Sequence, residues 1–206
     1  MVLKNTPVGE VAFIVGIGLA LSAMSAMAED DSPQVLKNGG FETRAADHAG
    51  PYAWSFTQAP QTEGLVACAW DDRVFHSGAR SVSISIEESH PDKQIDYNWN
   101  QAVTEFDPGE TYEVTGWIRA YNLDASPVIV VQCWDSTFTK MLGFATTQRD
   151  YEVTGTTEWT QVKATISVPA ETGRVMLLAG VRAPDNRGGR VWFDDIQITR
   201  EKDRDE

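Results

Sequence analysis

Residues 111–121 read TYEVTGWIRAY, and this stretch indicates how the chain folds. Its side chains alternate as they do in a β-strand, where successive residues point to opposite faces of the sheet. One alternating set is apolar and suits a core: Tyr112, Val114, Ile118 and Ala120. The other set is aromatic and charged: Trp117, Arg119 and Tyr121. The stretch therefore predicts a strand with one face in the core and a second face that is aromatic and charged.

Two further stretches carry the same two-sided pattern, PVIVVQCWD at 127–135 and RVMLLAGVRA at 174–183. The sets expected in the core are Ile129, Val131 and Cys133 in the first stretch, and Val175, Leu177 and Val181 in the second. The opposite sets include Gln132 and Trp134 in the first, and Met176, Leu178 and Arg182 in the second. A sandwich strand needs only one apolar face, so we expect these side chains to share an outer face of one sheet with Trp117, as a binding surface. The alternative is that the long segment 135–158 folds over that face and buries it.

The remaining pattern is strand after strand, separated by turns rich in Gly, Pro and Asp. No segment keeps a helical period over three turns. The fold class predicted is all-β, a two-sheet antiparallel β-sandwich of the jelly-roll type in a single domain over residues 29–199. The charge-dense end REKDRDE, residues 200–206, is expected to be a disordered tail.

The N-terminus resembles a secretory signal peptide. Lys4 precedes the apolar run VAFIVGIGLALSAMSA at 11–26, and AMA at 26–28 places small residues before Glu29. We therefore expect residues 1–28 to be removed, with no membrane insertion after cleavage, and a secreted or periplasmic protein. An uncleaved anchor is the alternative reading of the same run.

Charge and cysteine content narrow the class of protein further. The net charge is −13, from 30 acidic against 17 basic residues, which argues against nucleic acid and anionic membranes as partners. Cys68 and Cys133 are either a disulfide pair or two buried thiols, and spacing does not decide between them. With 3 histidines, a His-rich metal site is not expected. We expect a monomer.

Several motifs in a fixed order resemble one known family. They are NGGFE at 38–42, HSGARSVSI at 76–84, DPGETYEVTGWIRA at 107–120, GTTEWTQVKATISVP at 155–169 and GRVWFDDIQI at 189–198. Together they resemble the carbohydrate-binding modules of families 4, 9, 16 and 22, which share a galactose-binding-like β-jelly roll. The resemblance covers nearly all of residues 35–199. The resemblance indicates the fold more specifically than it indicates the ligand, because one fold hosts many functions.

The resemblance implies a structural calcium that joins the first and last strands. By analogy, Glu42 supplies a carboxylate, Gly40 a backbone carbonyl and Asp194 a second carboxylate. Such hard oxygen ligands suit Ca²⁺. The segment 76–80 would add carbonyls, although it lacks the acidic side chain that some members have there. The alternative is that Glu42 and Asp194 accept backbone N–H bonds at the strand ends.

The resemblance also implies sugar binding on the concave face of one sheet. There, aromatic rings stack on sugar rings while polar side chains orient the hydroxyls. The side chains that match are Trp117, Trp134, Gln132 and Arg119, with Trp99 and Tyr97 on a neighbouring strand. We expect Trp54 and Trp159 in the core or at its rim, and Trp192 in the core.

Three functions are compatible with these residues. The first is a secreted, non-catalytic domain that binds a poly- or oligosaccharide, with a separate enzyme or envelope protein as a further partner. The second is a structural or protein-interaction domain of the cell envelope with no sugar ligand. The third, an enzyme, is disfavoured because the acidic pairs Asp71–Asp72 and Asp194–Asp195 are sequence neighbours rather than carboxylates flanking a scissile bond. No nucleophile or zinc-protease motif occurs either.

Overall fold

A computed structural model describes residues 35–47 and 49–201 of the chain. The predicted signal peptide lies outside the described residues, as does the end of the predicted tail from residue 202 onward. Within the described part, ten strands and a single 3₁₀ turn, Thr147–Arg149, account for the regular structure. The strands are β1 Ser55–Thr57, β2 Val66–Asp71, β3 Ser81–Ile86, β4 Ile95–Val103, β5 Thr111–Leu123, β6 Val128–Trp134, β7 Met141–Thr146, β8 Gly155–Ser167, β9 Arg174–Ala183 and β10 Arg190–Arg200.

The strands form two antiparallel five-stranded sheets. Sheet I has the order β1-β4-β9-β6-β7, and sheet II has the order β2-β3-β10-β5-β8. Most neighbours within a sheet are distant in sequence, so the connections cross between the sheets, as in a jelly roll. The prediction of an all-β sandwich is therefore confirmed. No helix in the described residues is long and apolar enough to cross a membrane.

The core lies between the sheets and takes the alternating sets expected from the sequence. Ile118 on β5, Val131 on β6 and Leu177 on β9 are all buried, and each of their strand neighbours faces outward. Position 116 faces inward, and a Cβ there would lie 2.5 Å from Cδ1 of Ile129 on the facing sheet, so a glycine is needed. The two sheets are thus packed closely enough that one strand needs a glycine.

Strand β4 places Tyr97 and Trp99 in this core, and their assignment to a sugar-binding face is wrong. They are 0% and 6% exposed. The Trp99 indole N–H donates to the carbonyl of Ser83 on sheet II at 3.2 Å, and the Tyr97 hydroxyl lies 2.8 Å from Nε2 of the buried His90. Strand β4 alternates as predicted, but the polar set, Asp96, Asn98 and Asn100, is the one that faces outward.

The two ends of the domain meet beside sheet II. The carbonyl of Gly39 accepts the N–H of Ile196 at 3.0 Å, and a Cβ on Gly39 would lie 1.8 Å from the Ile196 carbonyl oxygen. Only glycine permits this approach. The register of β10 against β5 shifts between Asp194 and Gln197, where Asp195 adopts a φ of 46°. This bulge turns both acidic side chains toward the segment after β2.

One expectation about the chain is corrected, and one alternative that the sequence leaves open is decided. Strand β10 continues through Arg200, which pairs with Tyr112 and bonds to Asp107 at 3.0 Å, so Arg200 belongs to the domain and not to a disordered tail. Cys68 and Cys133 are free thiols on different sheets, one exposed and one buried, so they do not form a disulfide. Burial raises the pKa of the Cys133 thiol.

The opposite placement of two tryptophans predicts opposite effects on stability. Trp99→Ala should lower the free energy of unfolding by about 3–5 kcal/mol, because it empties part of the core and removes a bond between the sheets. Trp134→Ala should cost much less, because Trp134 lies on the outer face of β6. Urea unfolding followed by circular dichroism measures both. Equal losses in the two variants would contradict the placement of Trp99 inside the sandwich and Trp134 outside it.

Candidate functional site

The outer face of sheet I carries a groove of about 190 Å³. Three central strands form its floor, and pairing places Asn98 of β4, Gly180 of β9 and Val128 of β6 side by side. The loops at one end contribute Ala125, Ser126, Gln148 and Asp185 to its wall. The groove therefore lies along the face that the two-sided strand pattern marks as a binding surface.

The groove combines apolar and polar side chains. Val128 and Leu178 form its apolar floor. At one end, Arg182 donates to both carboxylate oxygens of Asp96, at 2.7 and 3.2 Å. A Cβ at position 180 would lie 2.0 Å from Oδ1 of Asn98, so this position suits only glycine. The glycine thus lets the Asn98 amide lie across the sheet, where it can face a ligand.

The other end of the same face is aromatic. Trp134 donates its indole N–H to Oε1 of Gln132 at 3.1 Å, which orients both side chains. Phe144 of β7 pairs with Gln132 and is 53% exposed. The Phe138 ring lies 4.7 Å from the Trp134 ring, between centroids. The face therefore offers an oriented amide beside aromatic rings, the combination that holds a sugar ring by stacking and hydrogen bonds.

The turn after β6 is fixed by one carboxylate. Asp135 accepts the backbone N–H groups of Thr139 and Lys140, at 2.8 and 3.2 Å, and the hydroxyl of Thr137 at 2.7 Å. The bonds from Thr137, Thr139 and Lys140 lower the pKa of Asp135 to about 2. Asp135 thus stays charged at any ordinary pH and holds the turn that carries Phe138.

Segment 135–158 does not cover the face. Its middle part is β7, which pairs with β6 and extends sheet I at its edge. The 3₁₀ turn that follows places the hydroxyl of Thr147 against the N–H of Ile129, at 3.1 Å, and Gln148 at the end of the groove. The alternative that this segment buries the face is therefore wrong, because the segment lengthens the surface.

Trp117 and Arg119 lie elsewhere, and the expectation that they share a face with Trp134 is wrong. Both belong to β5 in sheet II, whereas Trp134 and Gln132 belong to β6 in sheet I. The two outer faces point in opposite directions from the core. Sequence parity separates inside from outside in each strand, but it does not tell which sheet a strand joins.

Three tryptophans on the outer face of sheet II are in contact with protein groups, while Tyr121 on the same face is 56% exposed. The His76 ring stacks on Trp117 at 3.9 Å, and Trp159 meets His76 edge-on at 5.7 Å. Trp192 is buried at 8% exposure, yet it lies on this outer face rather than in the core, beneath the guanidinium of Arg190 at 4.7 Å. Such cation–π contacts stabilise the face and leave less ring surface for a ligand.

Beside sheet II, three carboxylates converge on residues 76–80. Glu42 accepts the N–H groups of Ala79 and Arg80, at 2.9 and 3.0 Å. Asp194 accepts those of His76 and Ser77, at 2.7 and 3.3 Å. Asp195 accepts a bond from the Ser77 hydroxyl at 2.9 Å and lies 2.7 Å from Nδ1 of His76. This arrangement matches the alternative in which the acids accept N–H bonds and fix one loop.

The fit of this region to a calcium ion is partial. All its donors are hard oxygens, and a Cβ on Gly40 would lie 3.3 Å from Oδ1 of Asp195, so the backbone passes close to a carboxylate. Burial raises the pKa of Asp194 to about 6, with the charge of Asp195 adding to the rise and the N–H bonds opposing it. Within the described residues, however, no three His, Cys, Asp or Glu side chains are grouped so that they could hold a metal. The oxygen donors of this region are of the type that binds a cation, but their side chains are not grouped around one point.

Several residues of this face are not among those predicted for the site. They are Asp96, Asn98 and Phe144. A signal for Asn98 is present in the sequence, since it alternates with Tyr97 and Trp99, but the aromatic set resembles a ligand face more strongly than the amide set does. Phe144 gives no such signal, because its strand lies in a segment without a clear period.

The outer face of sheet I thus combines an amide-lined groove with exposed aromatic rings beside it, which are features of ligand-binding surfaces. The profile of the carbohydrate-binding domain family CBM_4_9 matches residues 33–185, and the chain belongs to this family. The prediction that it resembles carbohydrate-binding modules of this type is therefore confirmed.

Solved structures share the fold at low sequence identity. TmCBM61 in complex with β-1,4-galactotriose is similar with a TM-score of 0.51 and 22% identity, covering 82% of this chain and 100% of that one. The CBM22-1 xylan-binding domain of Paenibacillus barcinonensis Xyn10C gives a TM-score of 0.53 and 13% identity, covering 83% and 96%. A Bacteroides thetaiotaomicron protein to which sugar binding is ascribed gives a TM-score of 0.56 and 15% identity, covering 82% of this chain and 100% of that one.

Among curated proteins, the chain is similar to the tRNA nuclease WapA of Bacillus subtilis strain 168, with 22% identity over 171 residues. That match covers 82% of this chain and 7% of WapA. The tRNA(Glu)-specific nuclease WapA of Bacillus subtilis subsp. natto matches over the same shares. The chain thus spans a small part of the curated relatives it matches.

Proposed function

We propose that this domain binds a neutral poly- or oligosaccharide in the groove on the outer face of sheet I. The observation that carries the proposal is the Gln132–Trp134 pair, in which an indole N–H fixes a glutamine amide beside an aromatic ring. A sugar ring needs both elements, because its C–H face is apolar and its rim carries hydroxyls. Phe144 would support a neighbouring ring.

The polar end of the groove would hold the hydroxyls of the next sugar rings. Arg182 and Asp96 restrain each other through two hydrogen bonds, so they lose little side-chain entropy when a ligand arrives. Asn98 and Gln148 offer amide donors and acceptors along the same wall. The net charge of −13 opposes acidic polysaccharides as well as tRNA, which favours a neutral ligand.

The proposal covers binding without catalysis, by a protein that is secreted or periplasmic after its signal peptide is removed. The second candidate function is a structural or protein-interaction domain of the cell envelope. Exposed Phe144 and Met141 at the edge of sheet I are the observation that favours it, because exposed apolar side chains also mark protein contacts.

Affinity gel electrophoresis separates these two functions. Wild-type protein should be retarded in native gels that contain one of three polysaccharides: β-1,4-galactan, xylan or β-glucan. Trp134→Ala and Gln132→Ala should each weaken binding by about 10-fold or more, because loss of a central contact typically costs at least 1–2 kcal/mol. Trp117→Ala is the matched control. It should keep the retardation, since Trp117 lies on the opposite sheet.

Two results would count against the proposal. Wild-type mobility that no neutral polysaccharide changes would favour the interaction domain. Loss of retardation in Trp117→Ala with full retention in Trp134→Ala would place the sugar on sheet II. Circular dichroism of each variant shows whether lost binding reflects lost folding.

We also propose a structural calcium ion beside Glu42, Asp194 and the Gly40 carbonyl. Its support is geometric: the carboxylates of Glu42, Asp194 and Asp195 converge on residues 76–80, and the backbone at Gly40 passes close to Oδ1 of Asp195. Bound calcium would hold the two ends of the domain together and stabilise the folded state.

Removal of calcium should therefore lower the melting temperature of wild-type protein. EDTA should lower it, added calcium should restore it, and Asp194→Asn should melt lower than wild type and ignore both. Differential scanning fluorimetry measures the effect. If EDTA leaves the wild-type melting temperature unchanged, the N–H bonds alone satisfy these carboxylates and the ion is absent.

A further inference from the structure

A second, apolar pocket continues the groove at the aromatic end of sheet I. It has a volume of about 510 Å³. Its lining residues are Ala102, Val103, Thr104, Phe106, Phe138, Gly173, Arg174, Val175 and Met176. Strand pairing places Met176 directly beside Gln132 on one side and Ala102 on the other. The pocket thus begins one strand away from the oriented amide of the groove.

The pocket and the groove lie in line along β9. Met176 lines the pocket, while Leu178, Gly180 and Arg182 line the groove, and all four face outward at every second position. In an extended strand the six steps from Met176 to Arg182 span about 20 Å. One elongated ligand can therefore occupy the groove and reach the pocket at the same time.

The chemistry of the pocket is unsuited to a further sugar ring. Its polar side chains are those of Thr104 and Arg174, and the Arg174 guanidinium already lies 5.7 Å from the Phe138 ring centroid. Hydroxyls of a sugar placed there would lose water without gaining enough partners, and each such unpaired group costs free energy. The group that fits is one without hydroxyls.

The pocket is also small for a protein partner. Nine residues line it, whereas a stable protein interface uses roughly 20–30 residues a side. Two phenylalanines, a thioether and a guanidinium together favour an aromatic ring, through ring–ring, sulfur–aromatic and cation–π contacts.

We infer that the domain recognises a glycan that carries an aryl substituent, with the sugar in the groove and the aryl group in the pocket formed by Phe106, Phe138 and Met176. The inference rests on the proposed sugar site and adds the class of ligand. One part of the outer face of sheet I would then bind the sugar hydroxyls, and another part would bind an apolar ring.

Matched pairs of glycosides test this with the full chain. The probes are methyl and 4-nitrophenyl glycosides of β-1,4-galactobiose and of xylobiose, and isothermal titration calorimetry measures each dissociation constant. The 4-nitrophenyl glycoside should bind about 10-fold more tightly than its methyl partner, a factor that corresponds to about 1.4 kcal/mol. The preference should not depend on which of the two disaccharides binds.

Two variants assign the preference to the pocket. Ala102 is exposed on β4 beside Met176, so Ala102→Gln should fold normally, fill the pocket and reduce the preference to less than about threefold, within the range expected for one lost apolar contact. Its affinity for the methyl glycosides should match that of wild type. Phe138→Ser, at a side chain that is 44% exposed, should also reduce the preference.

Each other outcome overturns the inference in a recognisable way. Equal affinity for methyl and 4-nitrophenyl glycosides removes the aryl group but leaves the sugar site standing. A preference that Ala102→Gln retains moves the aryl group to another surface. Binding of none of the glycosides removes the sugar site and the inference together. A wild-type dimer in size-exclusion chromatography that Ala102→Gln converts to monomer would identify the occupant as a second copy of the chain.

Discussion

The core takes only one of the two faces of each central strand of sheet I, and that constraint fixes where the side chains of the groove lie. In β4, β6 and β9 the core takes the set that contains Trp99, Val131 and Leu177. Because side chains alternate along a strand, the intervening residues face outward on sheet I. Because those residues are Asn98, Gln132 and Leu178 rather than uniformly charged groups, the outer face becomes a groove with a mixed polar and apolar lining. The proposed binding surface thus follows from which side chains the core takes.

The two outer faces of the sandwich differ in the contacts that their side chains make. On sheet II the large rings are in contact with protein cations and imidazole, as with Arg190 over Trp192 and His76 against Trp117. Beside it, Asp194 holds the loop after β2 through N–H bonds. These contacts cover part of the ring surfaces and engage the carboxylates on that side. On sheet I, Phe144 is 53% exposed and the polar side chains of the groove bond to one another, as Arg182 does to Asp96. Under the proposed function, recognition therefore falls to sheet I.

The inside and outside of individual strands can be predicted from the sequence, because alternation depends only on neighbouring residues. The sandwich, and the outward position of Gln132 and Trp134, follow from that alternation. The sequence does not reveal that β5 joins sheet II while β6 joins sheet I, since strand partners are set by packing far along the chain. For that reason a shared face for Trp117 and Trp134 is the wrong prediction. The prediction for Tyr97 and Trp99 fails because aromatic rings suit a core and a sugar site equally well, and only the facing sheet decides between them.

The central claim is that the ligand binds across β4, β9 and β6 on the outer face of sheet I. Titration of ¹⁵N-labelled protein with the oligosaccharide of whichever polysaccharide retards it tests this most directly, by mapping the amide and indole signals that shift. We expect concentrated shifts at Asn98, Gly180 and Gln132, together with the Trp134 indole. Shifts centred on Trp117, Arg119 and Trp159, with the groove signals unmoved, would contradict the claim.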